Sequence, residues 1–317
     1  MGIQSDENLL SSLFFSHYGF HPEAVRPLAA AGSDRRYYII ESDKEASPVI
    51  GTVGNDLEEN RTFIYLTRHL ASENLPVPRI IAETPDARAY LQSYGGRLSL
   101  FDFCENARTV GEYGPAERSM LENAIRLLAR IQFRGGRNLD FSHCYPEQSM
   151  NENLVRWDLN YFKYCFLKPQ EIAFNESRLQ SDFDRLEDCL LQDRENWRCF
   201  MYRDFQSRNV MVGEDGSLTA IDFQGGRLGP EEYDVASFLW QAKAAYPVEL
   251  RLSLIDRYCD EAERMSPSFD KGRFCERLPY FVLFRVLQTL GAYGFRGGIE
   301  RRPHYLQSIP PGVKNLK

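Results

Sequence analysis

Seven cysteines are scattered along the 317 residues without a single Cys-x-x-Cys pair. An odd, irregularly spaced set argues against a zinc site and against a disulfide framework, and fits reduced thiols in a cytosolic protein. No apolar run approaches the ~18–20 residues that span a bilayer. The segment from Leu9 to Phe14 is short, interrupted by serines and preceded by no basic region, so no secretory signal is expected. Asp6 stands where a myristoylation signal favours Ser or Thr. Basic residues are in deficit: Lys and Arg number 38 against 45 Asp and Glu, for a net charge of −7. Nucleic-acid binding needs a basic face that displaces counterions, so that class is set aside. Internal repeats and low-complexity tracts are also lacking. What is present is ordinary for a soluble globular enzyme, 43% hydrophobic and 26% charged. The length suits roughly two domains of ~150 residues each.

The chemistry concentrates in Tyr202-Arg203-Asp204-Phe205-Gln206-Ser207-Arg208-Asn209, followed by two short apolar runs, Val210–Val212 and residues 218–221. An Asp215-Gly216 turn joins the runs, which is a hairpin signal. The hairpin places Asn209 just before its first strand and Asp222 just after its second, at one end of the ribbon. Asp204 lies five residues before Asn209, a loop's length that can fold over that end. Transfer from a nucleoside triphosphate needs hard oxygen ligands for Mg²⁺ and a carboxylate to orient the attacking hydroxyl. Asn209 and Asp222 suit the metal, and Asp204 suits the hydroxyl. The spacing matches the kinase pattern H-R-D-x-x-x-x-N followed by D-F-G, with Tyr202 in place of the histidine and Gln224 in place of the glycine. A hairpin with solvated polar ends is the plainer alternative. It does not account for three acids and amides, with Arg203, falling at that spacing together.

The N-terminal third reads as a small sheet. An amphipathic helix is expected over residues 7–18. A run of small residues ends at Gly32-Ser33, either a turn whose backbone covers phosphates or a plain hairpin turn. Residues 48–53 should be the third strand, and the lysine that a kinase-type fold carries there is missing. Lys44 is out of register. Arg35 and Arg36 are the nearest cations, and on a strand at most one of them faces the nucleotide. Asn55 with Glu58 forms a capping-box pattern for a helix running to Ser72, in which Glu58 or Glu59 is available for phosphate anchoring or simply favoured by the helix dipole. Strands are expected over residues 79–82 and 87–92. An adenine would bond near Gln92 and Tyr94, beside the break Ser93-Tyr94-Gly95-Gly96-Arg97. A boundary there gives an N-terminal lobe over 1–95 and a catalytic and substrate-binding lobe over 96–317. Helices follow over 98–103, 116–133, 151–167, 181–193, 231–245, 248–263 and 274–293. The aromatic stripe in 151–167 is core or a sugar-stacking face. Arg208 either offsets charge on the transferring phosphoryl group or is a surface arginine, and Arg203 pairs with loop acids. The fold class is α+β: two-lobed and protein-kinase-like, with a small antiparallel-sheet lobe and a larger helical one.

Taken together, Tyr202-Arg203-Asp204 with Asn209, Ile221-Asp222-Phe223-Gln224, and Gly229-Pro230 with Tyr233-Asp234-Val235-Ala236-Ser237 resemble the aminoglycoside phosphotransferase/choline kinase superfamily. Arg35-Arg36-Tyr37, the D-F-Q form of the metal motif, Leu290-Gly291, and Tyr305-Leu306 with Ile309-Pro310 are most similar to the bacterial N-acetylmuramate/N-acetylglucosamine anomeric kinases of cell-wall recycling. The resemblance implies a cytoplasmic ATP- and Mg²⁺-dependent kinase acting on a small molecule, with Asp204 as catalytic base, Asn209 and Asp222 on the metal, and Asp234 bracing the catalytic loop. Loss of the third-strand lysine departs from the superfamily and agrees with the sugar-kinase relatives. The expected acceptor is a hydroxyl of an amino sugar, with no nucleic acid or membrane partner. One alternative is an aminoglycoside or choline-type kinase, with Asp158 and the stripe from Trp157 to Phe166 as a cation cage. Another is a nucleotide-binding pseudokinase.

Overall fold

The computed structural model describes residues 3–28 and 35–316. Gly32 and Ser33, expected to cover phosphates, lie outside the described residues. Helix α1 (Ile3–Tyr18) precedes an antiparallel five-stranded sheet made of β1 (Ala24–Pro27), β2 (Arg36–Glu41), β3 (Val49–Val53), β4 (Ile80–Glu83) and β5 (Ala89–Ser93). Helix α2 (Leu57–Ser72) is inserted between β3 and β4. The spatial order β1-β2-β3-β5-β4 puts β3 in the middle, and all its residues are buried.

Strand alternation sorts this sheet into two faces. Tyr38, Gly51 and Leu91 are cross-strand partners on the face packed against Leu10 and Phe14 of α1. A Cβ at Gly51 would lie 2.9 Å from Leu10, so the missing side chain is what lets α1 sit down. Tyr37, Thr52 and Tyr90 are partners on the other face. There Tyr90 stacks on Phe63 of α2 at 5.3 Å. The α2 cap is Asp56, whose carboxylate accepts from the Glu59 N–H at 3.1 Å, one residue later than the Asn55 expectation. Both residues are short and polar, and the extended backbone falls at Asp56.

The chain leaves the sheet through Gly95 and Gly96. Gly96 has φ of +129° and its missing Cβ would meet the Val212 carbonyl at 3.0 Å, so glycine is required twice over. A helix was expected from Leu98. Instead Leu98–Ser99 forms β6, and Ser99 caps the short α3 (Leu100–Phe103) by accepting from the Asp102 N–H. The helical part continues with α4 (Glu105–Val110), α5 (Pro115–Gly135), α6 (Glu152–Phe162) and α7 (Glu176–Leu191). Strands β7 (Cys199–Met201), β8 (Val210–Val212), β9 (Leu218–Ala220) and β10 (Arg227–Gly229) come next. Helices α8 (Glu232–Leu239), α9 (Val248–Met265), α10 (Lys271–Gly294), α11 (Pro303–Leu306) and α12 (Ile309–Lys314) close the chain.

Helix α5 carries Leu121, Ala124, Ile125, Leu128 and Ile131 into the main core, as its period requires. The segment at Gly225–Pro230, expected as a loop, holds β10, which pairs with β7. The helix expected over 231–245 stops at Leu239. Helix α10 lies against α6 and the π-helical turn Lys163–Leu167 that follows it. A Cβ at Gly294 would come within 2.0 Å of the Cys165 carbonyl oxygen, so the two backbones meet there. Among the described residues, no helix is long and apolar enough to cross a membrane, and all seven cysteines are free.

Candidate active site

The hairpin β8–β9 forms as its turn signal requires, Val210 opposite Ala220 and Val212 opposite Leu218. Its open end is closed by the Ile221 N–H donating to the Asn209 carbonyl at 2.9 Å. Asn209 and Asp222 are therefore brought side by side by backbone pairing. The preceding loop folds back over them. Asn209 donates its Nδ2 to the Asp204 carbonyl at 2.9 Å, which orients its own side-chain oxygen outward. Two further groups hold the loop. Asp234 on α8, fully buried, accepts from the Tyr202 N–H at 2.7 Å, the Arg203 N–H at 2.8 Å and the Gln132 amide at 3.0 Å. Gln241 accepts from the backbone and hydroxyl of Ser207 at 3.1 and 2.8 Å. Asp234 thus braces the loop. Its burial raises the carboxyl to about 7, and the donors from Tyr202, Gln132 and Arg203 oppose that rise. Tyr202 is buried, packs edge-on to Phe205 and Phe223, and donates its hydroxyl to the Ile221 carbonyl. It ties loop to hairpin and offers nothing to a ligand.

Asp222 has φ of +68° and Arg203 has φ of +82°, backbone conformations that cost non-glycine residues ~1–3 kcal/mol each and cluster at functional sites. The Asp222 carboxylate keeps about a third of its side-chain surface open. Burial and the nearby Asp204 charge raise its pKa, and Arg35, Gln224 and Tyr37 oppose that. Arg35 Nη2 is 3.3 Å from Asp222 Oδ1, and Arg35 Nε is 3.6 Å from a Glu59 carboxylate oxygen on α2. The arginine is 3% exposed and lies over the rings of Tyr37 and Phe63. A buried cation thus joins the helix glutamate to the metal-motif aspartate, where β3 lacks its lysine. Arg36 goes the other way. It pairs with Asp6 of α1 at 2.5 Å, on the face of Tyr38, because adjacent strand residues face opposite sides. The structure therefore corrects Arg36 as a nucleotide contact. Glu58 pairs with Arg61 on the outside of α2, leaving Glu59 as the inward glutamate.

Asp204 is half exposed, so its carboxylate can reach a substrate. Its Oδ1 accepts from Arg285 Nη2 of α10 at 2.6 Å and from Gln206 at 3.3 Å. The buried Arg285 also donates to Ser237 and Gln288. Arg203 pairs with Asp158 of α6 at 2.9 Å, not with the loop acids, and Gln288 donates to the same Asp158 oxygen at 2.7 Å. Sequence reasoning missed Arg285 and Gln288. They lie 81 residues from Asp204 and 130 from Asp158, and only their i, i+3 spacing on one helix hints that they act together. The cation cage proposed from Asp158 and the aromatic stripe is corrected. Asp158 is taken by Arg203 and Gln288, while Trp157 and Tyr164 are exposed. Gln92 is buried on β5 with its side-chain oxygen unpartnered, and Tyr94 follows in the half-buried crossing segment. Arg208 is exposed, its guanidinium 5.5 Å from the centre of the Phe101 ring.

A magnesium ion bound with phosphates takes hard oxygens from one or two side chains and completes its shell with phosphate and water. The outward amide oxygen of Asn209 and the open edge of Asp222 fit that donor set. Among the described residues no three His, Cys, Asp or Glu side chains converge as a metal cluster, which an ion held by two protein oxygens would not need.

Comparison with known proteins agrees with this geometry. The profile of the phosphotransferase enzyme family matches residues 24–268. The N-acetylmuramate/N-acetylglucosamine kinase of Pseudomonas aeruginosa is 25% identical over 301 residues, covering 93% of this chain and 83% of that protein. The protein of the same name from Neisseria meningitidis is 26% identical, covering 91% and 84%. Among solved structures, the AMP-bound spectinomycin phosphotransferase APH(9)-Ia superposes with a TM-score of 0.62 at 14% identity, covering 96% of this chain and 93% of that one. The choline kinase LicA from Streptococcus pneumoniae superposes at 0.59 and 11% identity, with 98% of each chain covered. These two likenesses show the two-lobed, kinase-like fold.

Proposed function

The chain belongs to the phosphotransferase enzyme family, and from that premise we propose that it moves the γ-phosphoryl group of ATP to a hydroxyl of an N-acetylated amino sugar. It is a kinase of small molecules. The N-acetylmuramate and N-acetylglucosamine kinases that it matches over most of their length support the finer acceptor class. The observation that carries the chemistry is the half-exposed Asp204 carboxylate standing next to Asn209 and Asp222 at one hairpin end.

Asp204 orients the acceptor hydroxyl and takes its proton as the new P–O bond forms. Arg285 and Gln206 both hold one of its oxygens, leaving the other for the substrate. Asn209 and Asp222 would hold Mg²⁺, which would supply charge neutralisation to the phosphates. Arg35 stands in for the absent β3 lysine: anchored by Glu59 and Asp222, it faces the phosphates and fixes their approach. Its burial makes the guanidinium a stronger electrostatic partner than a solvated one. Gln92 and Tyr94 border the adenine. Arg208, within the loop, faces the acceptor side. The anomeric hydroxyl is the position favoured by the likeness to the sugar kinases. A polycationic acceptor is disfavoured, because Asp158 is already neutralised by Arg203.

The test is acceptor-dependent ADP release with Mg²⁺-ATP over N-acetylmuramate, N-acetylglucosamine, choline and kanamycin. Turnover on the N-acetyl sugars supports the proposal. Turnover on choline or kanamycin alone moves the chain to a cationic acceptor, and bound ATP with no turnover on any of them favours a regulatory module.

A further inference from the structure

Beside the catalytic loop lies a recess of about 20 Å³, room for a group of a few atoms and not for a sugar ring. Its walls come from the loop itself (Gln206, Arg208), from α3 (Phe101), from the segment after α8 (Lys243) and from α10 (Arg285, Tyr293). None of its lining belongs to the N-terminal sheet. Arg285 is shared: it lines the recess, and its Nη2 is 2.6 Å from Asp204. A group in the recess is therefore one side chain away from the carboxylate that orients the hydroxyl.

The charged side chains that line this recess are cations. No Asp or Glu is among its described lining residues. Asp204 balances Arg285, but among the described residues Arg208 forms no ion pair with a carboxylate. A second guanidinium, Arg108, lies 3.6 Å from the centre of the Phe101 ring that Arg208 also overlies. Burial and the charges of Arg208 and Arg108 hold the Lys243 ammonium below its usual range. Three cations crowd one another here in a chain whose net charge is −7. Like charges this close are held apart at a cost, which an incoming anion reverses.

We infer that this recess is an anion subsite of the acceptor pocket, in which Lys243 and Arg208 receive the carboxylate of an acidic N-acetylhexosamine while its ring stays in the open cleft. The inference rests on the amino-sugar acceptor proposed above. It makes Lys243 a specificity residue: the enzyme prefers a carboxylate-bearing sugar to its neutral counterpart, and the same cations repel a polycationic acceptor.

N-acetylmuramate and N-acetylglucosamine share a ring and differ by a lactyl carboxylate, so they are the probes. Steady-state kinetics for wild type, Lys243→Met and Lys243→Arg give the ratio of kcat/KM for the acidic sugar to that for the neutral one. The ratio should favour the acid in wild type and fall about tenfold in Lys243→Met, mostly through KM for the acid, as loss of one charge-assisted contact implies. Lys243→Arg should keep most of the preference. The urea midpoint of each variant, beside that of wild type, serves as the folding control. A ratio within about twofold of wild type in Lys243→Met, with both sugars turned over, overturns the subsite and leaves the amino-sugar kinase standing. Failure of wild type to turn over either sugar overturns both.

Discussion

Replacing Arg35 by Met removes a 3%-exposed guanidinium from between Asp222 and Glu59. Breaking a fully buried ion pair costs ~3–5 kcal/mol. Here the partner carboxylates are 34% and 32% exposed, so water takes over part of the lost interaction and the expected stability loss is ~1–2 kcal/mol. The larger effect is on nucleotide. A charge-assisted hydrogen bond to phosphate contributes ~1.5–3 kcal/mol, so Mg²⁺-ATP should bind roughly 10–100-fold more weakly. Titration calorimetry with ATP, alongside urea denaturation, separates the two effects. Arg36→Met is the matched control. Its partner Asp6 is 1% exposed on the opposite face of the sheet and would keep the Tyr38 hydroxyl and the nearby Arg88 charge. That variant should lose ~1–3 kcal/mol of stability and leave ATP affinity within about twofold. If Arg35→Met binds ATP as wild type does, or if Arg36→Met alone weakens it, the assignment of Arg35 as the replacement for the β3 lysine is wrong.

Two further perturbations test the scaffold beneath the site. Gly294→Ala would drive a methyl to 2.0 Å from the Cys165 carbonyl and push α10 off the π-helical turn, lowering the urea midpoint by an amount equal to ~1–3 kcal/mol or more; an unchanged midpoint would contradict this packing. Burial and the neighbouring Glu231 raise Glu232 to about 7, opposed by Arg277. In the folded state it therefore holds its proton over a range where the unfolded chain has released it. Its contribution to stability is present below about pH 4.5 and lost as pH rises toward about 7, roughly 3 kcal/mol in all. Wild type should thus lose more stability than Glu232→Gln between pH 5.5 and 7.5, and parallel losses would refute the assignment.

The local parts of the site were legible in the sequence because short-range geometry sets them. An Asp215-Gly216 turn fixes the β8–β9 register, and the register alone sets Asn209 beside Asp222. Alternation along β2 limited the nucleotide to one of Arg35 and Arg36. Choosing between them required knowing which sheet face α1 covers, and that is decided by Gly51 and Leu10, not by the strand itself. The α2 cap moved by one residue because Asn55 and Asp56 are chemically interchangeable as caps. What the sequence hid was long-range. Arg285 reaches Asp204 across 81 residues and Gln288 reaches Asp158 across 130, and no periodic pattern marks a polar residue on an otherwise buried helix as a site residue. Strand β10 was hidden for a related reason. Arg227–Gly229 sits in a run of glycines that signals a loop, and it becomes strand only because β7 offers it an edge.

The most direct test is turnover by Asp204→Asn beside wild type, with Mg²⁺-ATP and N-acetylmuramate or N-acetylglucosamine. Asparagine keeps the size of the side chain and its contact edge for Gln206, but cannot take the hydroxyl proton. Acceptor-dependent ADP release should fall by ~10²–10⁴-fold while ATP affinity stays near that of wild type. Equal turnover by the two proteins would contradict the assignment of Asp204 as the group that orients and deprotonates the acceptor hydroxyl.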